Sequence, residues 1–407
     1  MEGHHLIFRV IMLLGAIAVV DILTWLYLRR FSPHLSPANI LRRIHFPLSI
    51  TFGLAFFAFG WLKGLPGLDP QDYRDWFVFT GIMVVIWLPR AVFLFSSLLT
   101  HLFFLFLRKW KNRVRRSGQL SLMLAGLILA ISLWGIFIGK SHFIARDTVV
   151  KHTVLPMGFN GFRIAQFSDA HLGSFGKQEN VRKGLRLLQA QNADVIVFTG
   201  DLVNVVAEEA YPYTEDLRQL KAPYGKFAIL GNHDQGDYLK GDTIRPPEEN
   251  RQLLREFFRK TGFVLMEDTA VMLLRGGDTL ILAGVDNWGL PPFKQKGDLG
   301  KALGYYPGRP TVLFSHDPSH WDAEILGHPE VMLTLSGHTH GMQMGIFTSN
   351  FRWSPAVIKY PRWGGLYEEN GQYLYVSVGF GFLGFPGRMG IRPEISVLQL
   401  ETEGNLP

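Results

Sequence analysis

The stretch Val331-Met332-Leu333-Thr334-Leu335-Ser336-Gly337-His338-Thr339-His340 decides the reading of this chain. An apolar, β-prone run ends in two histidines that alternate along an extended segment and so face one side. Four earlier fragments repeat the design: Asp169-Ala170-His171, Gly200-Asp201, Gly231-Asn232-His233-Asp234 and Ser315-His316. Each follows its own run, at Arg163–Ser168, Val195–Thr199, Lys226–Leu230 and Thr311–Phe314. Five strands therefore deliver His, Asp or Asn to their carboxyl ends, where open α/β sheets gather ligands.

These residue types suit two divalent ions. A pair roughly 3.5–4 Å apart clamps a phosphate and ionises a bridging water. Oxygen donors and imidazoles suit Mn, Fe, Zn or Ni. The chain has no cysteine, which excludes a thiolate site.

The ordered set D-x-H, G-D, G-N-H-D, S-H and G-H-T-H resembles the calcineurin-like metallophosphoesterase superfamily over roughly residues 142–402. The tail Tyr373–Ser377, the Gly-rich segment Gly379–Gly390 and Pro393-Glu394 are similar to a bacterial branch of membrane-linked or exported phosphoesterases. The resemblance implies that Asp169, His171 and His340 hold one metal and that Asn232, His316 and His338 hold the other, with Asp201 bridging. His233 would be the general acid or phosphate-binding imidazole, and Asp234 would orient it. It further implies an α/β fold of two stacked mixed β-sheets flanked by helices. The activity expected is hydrolysis of phosphodiester or phosphomonoester bonds through a metal-bridging hydroxide.

Each residue also has a plainer reading. Asp169 and Asp201 could cap helices, and Asn232 and Asp234 could shape a turn. His152, His320 and His328 lie outside the motifs and read as structural or exposed. Asp286 and Asp317 are near strand ends and could support ligands or merely pack. The complete set, in order, favours the metal site.

The amino-terminal third differs in character. Residues 6–28, 44–62, 76–107 and 120–139 are largely apolar, which reads as four crossings of about 20 residues each. The domains expected are 1–140, an α-helical transmembrane region, and 141–407, the catalytic domain. Residues 1–147 carry 16 Lys or Arg against 6 Asp or Glu, and the remainder carries 25 against 28. The basic balance thus belongs to the membrane part and is no nucleic-acid footprint. Arg29, Arg30, Arg42 and Arg43 form one basic loop group; Arg108, Lys109, Lys111, Arg113, Arg115 and Arg116 form another. With these loops cytoplasmic, the domain lies on the extracytoplasmic side of a cell inner membrane. The stretch 76–107 contains Pro89 and Arg90; were it a hairpin of two short crossings, the domain would face inward. Asp21 and Arg90 are ionisable groups within spans and read best as a structural pair or as snorkelling.

Met342–Phe347 and Gly379–Pro386 are apolar and follow the ligands, so they could wall a lipid substrate, with Arg388 on its phosphate; packing is the more usual role for Phe and Leu in a Gly-rich loop, and a surface or structural role the more usual one for Arg388. The partners expected are a phosphate ester and the membrane, with neither nucleic acid nor a protein partner. The rival readings are a UDP-diacylglucosamine-type pyrophosphatase, whose substrate is cytoplasmic, and a membrane sensor that keeps the metal site without turnover.

Overall fold

The computed structural model describes residues 15, 17–29, 36–63, 72–106, 113–238 and 245–403. They fall into two compact units, one of residues 1–66 and 75–136 and one of 67–74 and 137–407.

The smaller unit is helical, with helices at Ser36–Lys63, Asp72–Phe106 and Arg113–Phe137 and a helical stretch over 17–29. Among the described residues, two helices are long and apolar enough to cross a membrane, Tyr73–Phe103 and Arg116–Ser141. They correspond to the last two expected crossings. The third stretch runs as one helix with Pro89 inside it, not as a hairpin of two short crossings. Residues 6–14 and 16 of the first expected crossing lie outside the described residues, as do the loop cations Arg30, Arg108, Lys109 and Lys111. Arg90 Nη1 donates to Asp21 Oδ1 at 2.7 Å and to Ser49 Oγ at 2.6 Å. Asp21 and Arg90 thus neutralise one another, the arrangement that low dielectric demands.

The larger unit is built on strands β1 (Ile144–His152), β2 (Phe162–Phe167), β3 (Val195–Thr199), β4 (Lys226–Ile229), β5 (Val264–Leu265), β6 (Thr269–Arg275) and β7 (Asp278–Gly284). They continue with β8 (Thr311–Phe314), β9 (Val331–Ser336), β10 (Ile346–Phe347), β11 (Arg352–Trp353), β12 (Gly365–Glu369), β13 (Gln372–Val376) and β14 (Glu394–Thr402). One six-stranded sheet has the order β1-β14-β2-β3-β4-β5 and the other β12-β13-β9-β8-β7-β6. Both are mixed: β2, β3 and β4 run parallel, as do β7, β8, β9 and β13, while β14 meets β2 and β6 meets β7 antiparallel.

Side-chain alternation divides each central strand between two cores. Ile164, Val197, Ile229, Leu282, Val312, Phe314, Leu333 and Leu335 fill the space between the sheets. The alternate residues Ala165, Ile196, Phe198 and Ala228 meet the helices Gln178–Gln189 and Pro247–Thr261 outside. On the far side Ile281, Ala283, Leu313 and Val331 pack with Trp321 and the helix Leu299–Gly304. Strands buried on both faces read as unbroken apolar runs, which is why five of them were legible. Those five, β2, β3, β4, β8 and β9, all end at the same place, and the polar fragments begin there.

Candidate metal centre

Two groups of ligand atoms form where those strands end. Asp169, His171 and His340 make one, and Asp201, His316 and His338 the other; within each group the atoms lie within 4.8 Å of one another. Asn232 joins the second group, its Oδ1 2.9 Å from His338 Nδ1. Asp201 Oδ2 lies 3.2 Å from His316 Nε2 and 3.7 Å from His171 Nε2, so it reaches both groups. All seven residues expected as ligands are thus brought together.

The backbone is bent hard to do this. Asp169, His171, Asp201, His338 and His340 have φ of 52°, 42°, 61°, 70° and 50°, the left-handed region that side chains rarely adopt. Such conformations persist where surrounding contacts over-determine them. Here the Asp169 carboxylate accepts the His338 N–H, at 2.9 Å to Oδ1, and Asp201 Oδ1 accepts the His233 N–H at 2.8 Å. Gly337 is required at its position: a Cβ there would strike Ser168 Oγ and Asp169 Oδ2.

The imidazoles are fixed by what their other nitrogen meets. His316 Nδ1 lies 2.7 Å from the Thr199 carbonyl and His233 Nδ1 2.7 Å from the Asn204 carbonyl. A carbonyl only accepts, so both Nδ1 atoms donate. A neutral His316 therefore turns the bare lone pair of Nε2 toward Asp201 Oδ2. His338 Nε2 lies 2.8 Å from the Tyr360 hydroxyl, and Asn232 Nδ2 donates to the Tyr238 hydroxyl at 2.8 Å. These outer contacts set ligand orientation.

Electrostatics favours cations in the cluster. Burial pushes Asp169 up to about 7, with His316 opposing and Asp201 adding to the rise. Burial also drives His171 down to about 3 and His338 down to about 4. His316 moves the other way: burial disfavours its charge, but Asp201 beside it outweighs that and raises it to about 10. His171 Nε2 and His340 Nε2 are 3.1 Å apart. Two carboxylates, four imidazoles and an amide oxygen converge here, and without metal the charge of Asp201 is met by a protonated His316. Divalent ions of oxygen and imidazole preference fit this donor set.

One sequence reading is corrected. Asp234 does not orient the His233 ring. Its carboxylate accepts the backbone N–H groups of Asp201 (2.8 Å), Leu202 (2.9 Å), Val203 (3.3 Å) and Gly231 (2.9 Å), and the ring is held by Asn204 instead. In the apolar loop 379–386 packing prevails over the substrate wall. Phe380 and Phe382 turn inward to meet Phe143 and Phe175, because the Gly-rich turns face the loop's large rings into the core. Arg388 is fully buried and donates to the carbonyls of Val378 (2.6 Å) and Gly381 (2.9 Å), so it does not bind phosphate. Burial lowers its pKa to about 10.

His320 keeps the plainer reading, whereas Asp286 and Asp317 reach toward the site. His320 lies between Ser315 and Glu324 and stacks on Trp288. Asp286 pairs with Arg251 at 2.8 Å and accepts from Gln235 at 2.9 Å, bracing the turn after His233. Asp317 caps Ser319 at 2.8 Å, while its Oδ2 lies 3.7 Å from His338 Nε2. Thr199, Asn204, Tyr238 and Tyr360 went unnoticed in the sequence. The first two act through carbonyls, which no residue type announces, and the tyrosines lie outside any motif.

Residues 162–342 match the family described as calcineurin-like phosphoesterase. An uncharacterized metallophosphoesterase of Bacillus subtilis (strain 168), YkuE, is 28% identical over 306 residues, 73% of this chain and 99% of the relative. A transmembrane protein with metallophosphoesterase domain from Bos taurus is 31% identical over 256 residues, 61% of this chain and 54% of the relative. The chain spans about half the length of that protein and of its Danio rerio counterpart. The UDP-2,3-diacylglucosamine pyrophosphatase LpxG of Chlamydia trachomatis is 27% identical over 278 residues, 56% of this chain and 81% of the relative. The ordered fragments, the two sheets that carry them and these matches agree: residues 162–342 carry a domain of the calcineurin-like phosphoesterase family.

Proposed function

We propose that this chain is a membrane-anchored phosphoesterase with a dinuclear metal site. Asp169, His171 and His340 would hold one divalent ion and Asn232, His316 and His338 the other, with Asp201 between them. The observation that carries this is the reach of Asp201 Oδ2 toward both groups, at 3.2 and 3.7 Å. Two divalent ions, Mn, Fe, Zn or Ni, would supply charge for the phosphate oxygens and a water of lowered pKa.

The chain's own groups do the rest. His233 sits at the partly exposed rim, its ring stacked on Tyr238 at 4.4 Å between centroids. With Nδ1–H donated to the Asn204 carbonyl, Nε2 is the nitrogen left for the substrate, and in the protonated ring its N–H can pass to a leaving oxygen. Asp234 keeps the Asp201 and Gly231 loops at a fixed separation and so sets where His233 stands.

The membrane reading assigns residues 1–140 to the anchor and 141–407 to the catalytic domain. The basic loops support an extracytoplasmic domain, which would lie within reach of lipid-linked esters. A second reading, a pyrophosphatase of UDP-diacylglucosamine type, draws on the similarity to LpxG. The cytoplasmic location of that substrate opposes it.

The test is hydrolysis by the purified full chain, loaded with Mn. Substrates are an aryl phosphodiester, an aryl phosphomonoester, membrane lipid extract and a UDP-linked diacylated sugar. Turnover that is lost on chelation and in His233→Ala supports the enzyme. Metal-loaded chain that turns over none of the four would sink it in favour of a sensor.

A further inference from the structure

Residues 341–367 contain three cations, Arg352, Lys359 and Arg362, and no Asp or Glu. They also leave large apolar side chains in solvent. Ile358 is 87% exposed, Phe351 57% and Trp353 52%, with Met342, Ile346 and Val357 beside them in sequence. Single exposed apolar residues are ordinary, but a contiguous group marks a surface that meets something.

The segment is held in shape, so this exposure is imposed. β10 pairs with β11, and Ala356 and Trp363 bury against Val378 and Ile391. Ser354 Oγ donates to the Gly341 carbonyl at 2.5 Å, and Thr339 Oγ1 donates to the Trp363 carbonyl at 2.6 Å. The framework turns the apolar residues outward.

Its charge selects the occupant. Arg362 pairs with Asp322 and Glu369. Arg352 donates to the carbonyls of Gly364 (2.9 Å) and Leu366 (3.2 Å), and Lys359 Nζ lies 5.0 Å from the Phe293 ring and 4.9 Å from the Tyr360 ring. Among the described residues, neither Arg352 nor Lys359 forms an ion pair with a carboxylate. Aliphatic and aromatic residues ringed by uncompensated cations suit an anionic bilayer surface. A second copy of the same segment would instead set like charges face to face.

We propose that residues 342–359 dock on an anionic lipid surface. Ile358, Phe351 and Trp353 enter the interface, and Arg352 and Lys359 lie at headgroup phosphates. Tyr360 joins this surface to His338, so docking would bring lipid phosphates beside the candidate metal centre. The surface stands whether or not the centre hydrolyses anything, and its test reads no turnover.

The chain is free of cysteine, so one introduced thiol can be labelled selectively. An environment-sensitive fluorophore is placed on Ile358→Cys in the full chain, with Phe351→Cys as a second reporter and Glu215→Cys, on an exposed helix, as control. Nanodiscs of phosphatidylglycerol or of phosphatidylcholine each contain a doxyl-labelled lipid. The expected result is quenching of both reporters in phosphatidylglycerol, reduced several-fold in phosphatidylcholine and by Lys359→Glu, with the control unquenched. Reporters that stay wet, or that are shielded without doxyl quenching as a protein contact would shield them, overturn the proposal. Equal quenching in both lipids, or of the control, overturns it too.

Discussion

Asp234 Oδ2 accepts the backbone N–H of Asp201 at 2.8 Å, and the same oxygen accepts the N–H of Gly231 at 2.9 Å. One buried carboxylate thus ties the loop after β3 to the loop after β4. The first carries Asp201 and the second carries Asn232 and His233, so their spacing depends on a side chain that touches neither the imidazole nor a ligand atom.

Asp234→Asn should therefore act through structure first. Its amide presents N–H groups to N–H donors and leaves some of them unsatisfied. The expected cost is about 1–3 kcal/mol, read as a lower denaturation midpoint. Turnover should fall with it. An unchanged midpoint together with lost turnover would return Asp234 to the catalytic role expected from sequence.

Asp201→Asn should bring hydrolysis to background with the circular dichroism of the fold retained. Metal content per chain, measured by elemental analysis, should fall in parallel. Parental turnover in this variant would refute the bridging assignment.

His233→Ala should leave metal content intact while lowering turnover by about 10²–10⁴-fold, the usual worth of a positioned proton donor. Loss of metal in this variant would mean that the ring shapes the ligand cage instead.

Tyr360→Phe removes the hydroxyl from His338 Nε2 and little else. A lost outer contact of this kind weakens metal binding about 10- to 100-fold. Titration of metal into the variant, by calorimetry or chelator competition, gives the number. Unaltered affinity would mean that the phenol serves the surface and not the ligand.

Chelation should lower thermal stability, since only the folded chain gathers all seven donors. At metal 100 times its Kd each ion adds about 2.7 kcal/mol, roughly 5–10 °C in Tm per site for a domain of this order. A Tm indifferent to chelator would argue against a preformed site in the folded chain.

The sequence was most readable where burial was most complete. Val195–Thr199 is buried throughout, so it shows as an apolar run, and the first residues able to leave that run are the ligands. The superfamily resemblance then arranged them into two groups. What stayed hidden depends on distant chain. The Asn204 carbonyl and the Thr199 carbonyl look like any others in sequence. Tyr360 meets His338 across 22 residues with no motif between them. The Gly-rich loop stayed open between two readings because Phe380 and Phe382 would read the same whether lining a cleft or filling a core.

The five ligands wound into left-handed backbone carry one more consequence. The chain sets their torsions as it folds, against its own preferences, and the contacts that oppose relaxation are internal to the protein. An arriving ion therefore meets a cage whose aperture is already cut. Size mismatch should be answered by rejection of the ion rather than by adjustment of the loops. Most ligand replacements at Asp169, His171, Asp201, His338 or His340 would then fail twice, once for the donor atom and once for the torsion.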